Sequence, residues 1–372
     1  MSVHQGRPLP PGIAAASSVP PTSDLTLLPG AANLVFWHEA ESGITLDTAT
    51  FRVGTATGSP TITLSGALNQ ALPIKIGVEV AGAPGGALRI WYAFDENGAN
   101  RYAENVAAGA TLDLGTSGIT ANLSGTFNAD NTFQAVVKEW EPKYGTSGAA
   151  GHRWDNSTVT ASAGPVYEAH SFQGGIDRAS VLLAPALLGN QGTIANLVAG
   201  NATPFHLFIL YEMTTLPSTA SVFALFGFMS QTSTSAHILD WVVTGSTATP
   251  PSAWGVQRKA SNFDPWTDIN STPTTQRYDS DGTDGFAAVK PDLSPHIFEI
   301  EYDGTTMIAR VDGFEIATGT WSGTVTSNRA TLGGVKLGGN AATAFAIGRV
   351  ATVAGYNAKL GATDAAAVRA AL

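Results

Sequence analysis

The chain of 372 residues contains no cysteine, which excludes a disulfide framework and any thiolate metal site. Charge is scarce: Asp, Glu, Lys and Arg make up 13% of residues, well under the usual quarter. The formal balance is −10 with no basic block, so no phosphate-neutralising patch for nucleic acid is expected. No apolar run approaches the roughly 18 residues a membrane helix needs. The longest, such as 205–211 and 221–229, have strand length. The opening MSVHQGRPLPPG has no charged segment leading into an apolar one, and no secretory leader is expected there. His4, His38, His152, His170, His206, His237 and His296 form no H-x-H or H-E-x-x-H pair, which disfavours a zinc site. The G-x-S-x-G and G-x-x-x-x-G-K motifs are missing as well.

What is present is a β pattern. Hydrophobic residues make up 44% and glycines number 41, which fits an ordered β protein. The clearest stretch is His296–Thr318, where Asp303-Gly304 and Asp312-Gly313 are each flanked by alternating apolar residues. Asp-Gly between such runs is the strongest short hairpin signal, because a type I′ turn needs φ > 0 at both central residues. A three-stranded antiparallel meander follows. Two-residue loops put Tyr302 opposite Thr305, Ile300 opposite Met307, Phe298 opposite Ala309, Val311 opposite Phe314, Ala309 opposite Ile316 and Arg310 opposite Glu315. Phe298, Ile300, Tyr302, Met307, Ala309, Val311, Phe314 and Ile316 then form the buried face. Glu299, Glu301, Ile308, Arg310 and Glu315 form a wetter one.

Residues 1–30 are rich in Pro, Ala and Ser. Such a segment favours extended backbone and is either a floppy tail or an arm laid against its own body or a neighbouring chain; it is read as a docking arm. Strands are read at 33–37 and 47–53. Residues 56–139 change character, with short strands at 62–64, 74–80, 88–94, 111–114 and 132–137 split by Gly- and Asn-rich turns, the pattern of a small β-sandwich. Strands resume at 180–183, 205–213, 221–228 and 236–243, and again at 335–337 and 344–354. Thr363 is read as the cap of a short terminal helix over 364–372, with Asp364 in its first turn.

The order of these signals resembles a concanavalin A-like or laminin G-like jelly roll. The residues that carry the resemblance are the opening Leu34-Val35-Phe36-Trp37, then Pro165, Tyr167, Phe172 and Gly174. The Phe298–Gly313 meander follows, and the closing set is Ile347, Gly348, Val350, Tyr356, Asn357 and Leu360. The match covers 31–55 and 140–372, so that 56–139 is an insertion into the jelly roll. The inserted run is similar to β-modules of bacteriophage tail and head proteins. The resemblance implies an all-β fold: a jelly-roll sandwich, an inserted smaller β-sandwich and an extended N-terminal arm.

Laminarinase-type hydrolases share this fold and carry an E-x-D-x-x-E strand, which this chain lacks. Glu299, Glu301 and Asp303 do not complete it. A glycosidase also needs two carboxyls held roughly 5 to 9.5 Å apart, and the sequence places no such pair. Asp279, Asp281 and Asp284 lie on a Gly-rich loop. Two readings stand there: converging oxygens for Ca²⁺, or plain Asp-Gly turns. Trp254, Phe263, Trp266 and Tyr278 lie near Asp264, Asp268, Arg277, Asn270 and Arg258. These are either a sugar-binding rim, with Trp254, Asp264, Trp266, Asp268, Arg277 and Tyr278 in contact with the glycan, or a small core of their own.

The resemblance implies a non-enzymatic bacteriophage virion protein, a capsid decoration, head fibre or tail-associated component. It would be a homo-oligomer that meets other virion proteins through its arm and a host-surface glycan through its jelly roll. A free bacterial carbohydrate-binding protein and a polysaccharide-degrading enzyme are the alternatives.

Overall fold

A computed structural model describes residues 28–372 apart from 55–59, 96–97, 110, 146–152, 157–163, 170–177, 184–187, 192–202, 217–221, 230–236, 246–251, 259–266, 269–291, 321–328, 337–341 and 344–347. In chain order the first strands are β1 (Leu34–Glu39), β2 (Ile44–Val53), β3 (Thr61–Gly66), β4 (Lys75–Val80), β5 (Arg89–Ala93), β6 (Tyr102–Asn105), β7 (Thr111–Asp113), β8 (Ile119–Ser124) and β9 (Thr132–Trp140). Then come β10 (Trp154–Asp155), β11 (Val166–Glu168), β12 (Ser180–Leu183), β13 (Leu188–Gln191), β14 (Phe205–Met213), β15 (Val222–Met229), β16 (His237–Gly245), β17 (Ser252–Arg258) and β18 (Thr267–Asp268). The last are β19 (Pro295–Tyr302), β20 (Thr306–Val311), β21 (Phe314–Thr320), β22 (Arg329–Leu332), β23 (Val335–Lys336), β24 (Ala342–Thr343), β25 (Gly348–Tyr356) and the helix α1 (Ala362–Ala371).

The fold is an all-β sandwich. An eight-stranded sheet runs β11-β12-β25-β14-β19-β20-β21, with β1 also on β25. A twelve-stranded sheet runs β18-β17-β16-β15-β22-β13-β10-β9-β4-β5-β6, with β2 also on β9. Their inner faces share one apolar core. In β14 the odd residues Phe205, Leu207, Ile209 and Tyr211 point into it, against Leu225, Phe226 and Leu332 of the other sheet. The small void left between the layers, about 10 Å³ and lined by Leu207, Leu225 and their neighbours, has room for at most one water and too few polar groups to hold it.

The segment 56–139 is built as two layers. The sheet β3-β8-β7 contributes Ile62, Leu64, Leu112 and Ala121 to the same core as Ile76, Ile90 and Tyr92 of β4 and β5. The second layer does not close on itself. Through β9 it hydrogen-bonds to β2 and β10, so β4, β5 and β6 belong to a sheet that continues beyond residues 56–139.

The meander forms with two corrections to its register. Asp312 (φ 52) and Gly313 (φ 83) both take left-handed backbone, as a type I′ turn requires, and Val311 faces Phe314 while Arg310 faces Glu315. A bulge then sets Ala309 opposite Ala317 instead of Ile316. At the first turn the register lies two residues away from the expected one: Tyr302 faces Met307, Ile300 faces Ala309 and Phe298 faces Val311. The cause is Asp303, whose Oδ1 accepts the N–H groups of both Thr305 and Thr306 and so widens the loop. A two-residue shift preserves side-chain parity, and Phe298, Ile300, Tyr302, Met307, Ala309 and Val311 are all buried. Phe314, at the turn, is 51% exposed.

The opposite face is not wet. Glu299 is fully buried and Glu301 nearly so, because α1 lies over this side of the eight-stranded sheet. Leu360, Ala365 and Val368 pack there on Leu28, Leu34, Trp37, Phe208 and Tyr356. The helix begins at Ala362 with Gly361 as its cap and no side-chain cap hydrogen bond, so Thr363 lies inside the first turn and does not cap it. Asp364 is in that turn as expected.

Candidate functional site

Two constellations of polar side chains stand out among the described residues, one closed and one open. The closed one arises from the pairing of β14 with β19, which sets His206 opposite Glu301 and Phe208 opposite Glu299. His206 Nε2 lies 2.8 Å from Glu299 Oε1. Its Nδ1 accepts the Leu360 N–H at 3.3 Å, which leaves Nε2 as the donor to Glu299. Arg310 reaches Glu301 at 2.8 Å and Lys359 reaches it at 3.1 Å, while Arg369 of α1 donates to Glu299.

Burial alone would raise the Glu299 carboxyl. The hydrogen bond from His206 and the charge and hydrogen bond of Arg369 outweigh it and hold the group below the usual carboxylate range. The ligand atoms of His206, Glu299 and Glu301 lie within 4.8 Å of one another, close enough to be asked whether they hold a metal. Three cationic side chains already occupy the two carboxylates. A divalent ion would add charge where none is missing, and the arrangement fits a buried ion cluster that fastens α1 to the sheet. No local motif announces it, because its members come from strands some 90 residues apart in sequence and meet only through register.

A smaller group of three, His296, Asp292 and Asp312, sits at the second meander turn. His296 Nδ1 lies 2.7 Å from Asp312 Oδ2 and Nε2 lies 3.1 Å from Asp292 Oδ1. Burial pulls the imidazole down, but Asp312 and then Asp292 pull it up by more, and the net position is above its ordinary 6.5. Stability from a raised histidine is fully present below the unfolded value and lost as pH rises through the folded one. Wild-type stability is therefore expected to fall between pH 6 and 8.5 by more than that of His296→Gln, read as urea midpoints at the two pH values.

The open constellation lies on the outer face of the twelve-stranded sheet, at β4, β5 and β6. Strand alternation sends Ile90 and Tyr92 of β5 into the core and Arg89 and Trp91 outward. Trp91 pairs with Gly77 of β4 and with Ala103 of β6. The indole can lie across β4 only because position 77 has no side chain: a Cβ there would sit 2.2 Å from Cε2 and Cζ2 of the ring. Arg101 covers the ring, its guanidinium carbon 4.0 Å from the centroid, and its Nε donates to Gly98 O at 2.7 Å. Stacking and that bond fix the fork. Its two Nη groups have no partner in the protein among the described residues.

Small residues flanked by large ones make a hollow of about 380 Å³, lined by Val78, Glu79, Trp91, Arg101, Ala103, Asp130, Asn131 and Thr132. That volume falls in the range of small-molecule sites, about 300–1,000 Å³. Glu79 is tied to Arg89 at 3.1 Å. Asn131 is fully buried and builds the rim: its carbonyl accepts Val78 N–H and its Oδ1 accepts Asn128 N–H. The turn so held presents Asp130 at φ 68. Hydroxyl, carboxylate, guanidinium and apolar surface thus converge within one hollow.

Of the sugar and calcium candidates singled out in the sequence, only the backbone of Trp254 and Asp268 is described. Trp254 pairs with Val243 on β17 and Asp268 pairs with Gln257 on β18, while their side chains lie outside the described part. Asp264, Trp266, Arg277, Tyr278, Asp279, Asp281 and Asp284 are outside the described residues altogether, as are residues 1–27 of the arm. The pocket is not legible in the sequence because its members come from four separate stretches, 78–79, 91, 101–103 and 130–132. The signal available was Trp91, a large aromatic on the strand face opposite Ile90 and Tyr92.

A scan of protein-family models finds no match, and a search of curated proteins finds none. Among solved structures the chain is similar to the binding domain of botulinum neurotoxin DC, solved in complex with SialylT. They share 13% identity with a TM-score of 0.33, over 53% of this chain and 41% of that one. It is also similar to the CBM40 of Ruminococcus gnavus IT-sialidase bound to alpha2,3 sialyllactose, with 14% identity and a TM-score of 0.31, over 45% of this chain and 83% of that one. The chain thus spans about two fifths of the neurotoxin chain. At such scores the likeness carries no functional argument.

Proposed function

We propose that this chain is a sugar-binding attachment protein without bond-breaking chemistry, and that its glycan sits in the hollow between Trp91, Arg101 and Asp130. One observation carries the reading: a pocket of about 380 Å³ in which the two Nη groups of a fixed guanidinium and the carboxylate of Asp130, none of them paired among the described residues, face apolar surface from Ala103 and Val78. A sugar ring offers hydroxyls that donate and accept together with apolar C–H surface, and this lining complements both.

Ala103 is exposed on the edge strand β6, so a larger side chain there fills the hollow without entering the core. Ala103→Phe is expected to weaken glycan binding at least tenfold in calorimetric titration of the best array hit, with an unchanged melting temperature. Unaltered binding removes the pocket from the reading.

For the setting, the resemblance of 56–139 to phage modules and the Pro-rich segment 1–30 support a bacteriophage virion component, head or tail. It would be a symmetric homo-oligomer whose arm meets other virion proteins. A monomer in light scattering of the full chain counts against that setting and leaves the sugar site standing. A second reading has one observation in its favour, since Glu79 and Asp130 both line the pocket. A general acid needs an apolar surrounding that keeps it protonated, whereas Glu79 has a guanidinium beside it and is 43% exposed. Release of reducing ends from polysaccharide, abolished by Glu79→Gln, would favour the enzyme.

A further inference from the structure

We infer that the pocket selects uncharged sugars over acidic ones, and that Asp130 enforces the selection. The inference rests on the sugar-binding reading above and adds the class of ligand. Arg101 by itself would invite a carboxylate: its fork is held in place by Trp91 and by Gly98 O, and both Nη groups are free of protein partners among the described residues. Bidentate guanidinium–carboxylate pairing is among the strongest recognition contacts available.

The rest of the lining works against that pairing. Glu79 is already answered by Arg89 at 3.1 Å. Asp130 has no hydrogen bond or ion pair with any part of the described protein. The hollow therefore offers one unanswered positive charge and one unanswered negative charge. A hydroxylated ring satisfies both, since a hydroxyl accepts from Arg101 and another donates to Asp130. A ligand carboxylate can only accept. It gains the guanidinium but meets a second carboxylate at close range with no proton to place between them. Rejection of a competitor by a like charge is an ordinary source of specificity.

The position of Asp130 supports a role outside the fold. It sits at φ 68, where glycine is at ease and where an aspartate is tolerated without benefit to the backbone. The turn is held by its neighbours Asn128 and Asn131, with no contribution from the Asp130 side chain.

The test is Asp130→Asn, which keeps the shape and the tolerance for positive φ while exchanging a charge for an amide. The full chain and the variant are titrated with methyl glycosides of glucose, galactose and N-acetylglucosamine, and with those of glucuronate and N-acetylneuraminate. The wild type is expected to prefer a neutral sugar at least tenfold. The variant is expected to shift the acidic-to-neutral affinity ratio at least tenfold toward the acidic sugar, with the melting temperature unchanged. A wild type that prefers an acidic sugar overturns the selection and leaves the sugar site intact. A ratio unmoved by the substitution overturns the role of Asp130. Absence of binding by every sugar overturns the underlying reading, and the selectivity with it.

Discussion

Replacing Glu299 by alanine is expected to lower the folding free energy by about 3–5 kcal/mol, because removing one partner of a buried ionic cluster leaves the others uncompensated. Glu299 is fully buried. It receives His206 Nε2 at 2.8 Å and Arg369 from α1, and Arg310 lies 3.9 Å away. With the carboxylate gone, His206 loses its acceptor and Arg369 its hold on the sheet. The contrast is Glu315→Gln. Glu315 touches the same Arg310 only at 3.9 Å and is 36% exposed, so its loss is expected to stay within about 0.5 kcal/mol. Urea unfolding of the three proteins at pH 7 makes the comparison. Near-equal losses for the two variants would mean that the cluster contributes nothing beyond ordinary surface pairing. The sign with pH follows from the depressed Glu299 carboxyl: its contribution is present above the ordinary 4.5 and is lost as pH falls through the lower folded value. The wild type is therefore expected to lose its advantage over Glu299→Gln only in acid below that point.

Gly77→Ala is expected to abolish glycan binding, with a fall of more than tenfold, and to cost about 1–3 kcal/mol of stability through overpacking. The new Cβ would stand 2.2 Å from two ring atoms of Trp91 and 2.6 Å from Nε1. Trp91 is 7% exposed and has nowhere to retreat except upward, which carries Arg101 off the ring and out of its bond to Gly98. One methyl group thus removes the floor, the wall and the fixed fork together. Gly86→Ala is the control: it lies in the same segment, is not part of the lining, and its Cβ would meet only Ala83 O at 3.3 Å. Calorimetric titration with the best sugar, alongside melting curves, separates a lost pocket from a lost fold. Binding that survives in Gly77→Ala would show that the ring does not shape the site.

The sheet parts of this fold were legible where alternation is strict. In Phe298–Val311 the buried set came out right even though the first turn was misjudged, because the error was an even number of residues and parity does not register even shifts. What alternation cannot report is whether the second face is covered. Glu299 and Glu301 read as solvated because nothing near them in sequence hides them. The cover, α1, is supplied from some 60 residues later and brings its own cation, Arg369. The pocket had the same obstacle. Trp91 was visible as an outward aromatic, but a hollow is a relation among Gly77, Ala103 and Asp130, and adjacency in the chain encodes none of those distances. The aromatic and acidic cluster between 254 and 284 is legible because its members are adjacent in sequence, and most of it lies outside the described residues.

The joint made by β9 has a mechanical consequence for the proposed attachment role. The pocket strands β4, β5 and β6 are stitched edge to edge to β9, and β9 in turn to β2 and β10. A tug on a ligand bound there is not taken up by a hinge. Tension along the strand direction loads many backbone hydrogen bonds in parallel, in shear, whereas a pendant module on a linker would let go one contact after another. The grip is then set by how long the sugar stays in the hollow, while the anchorage behind it holds.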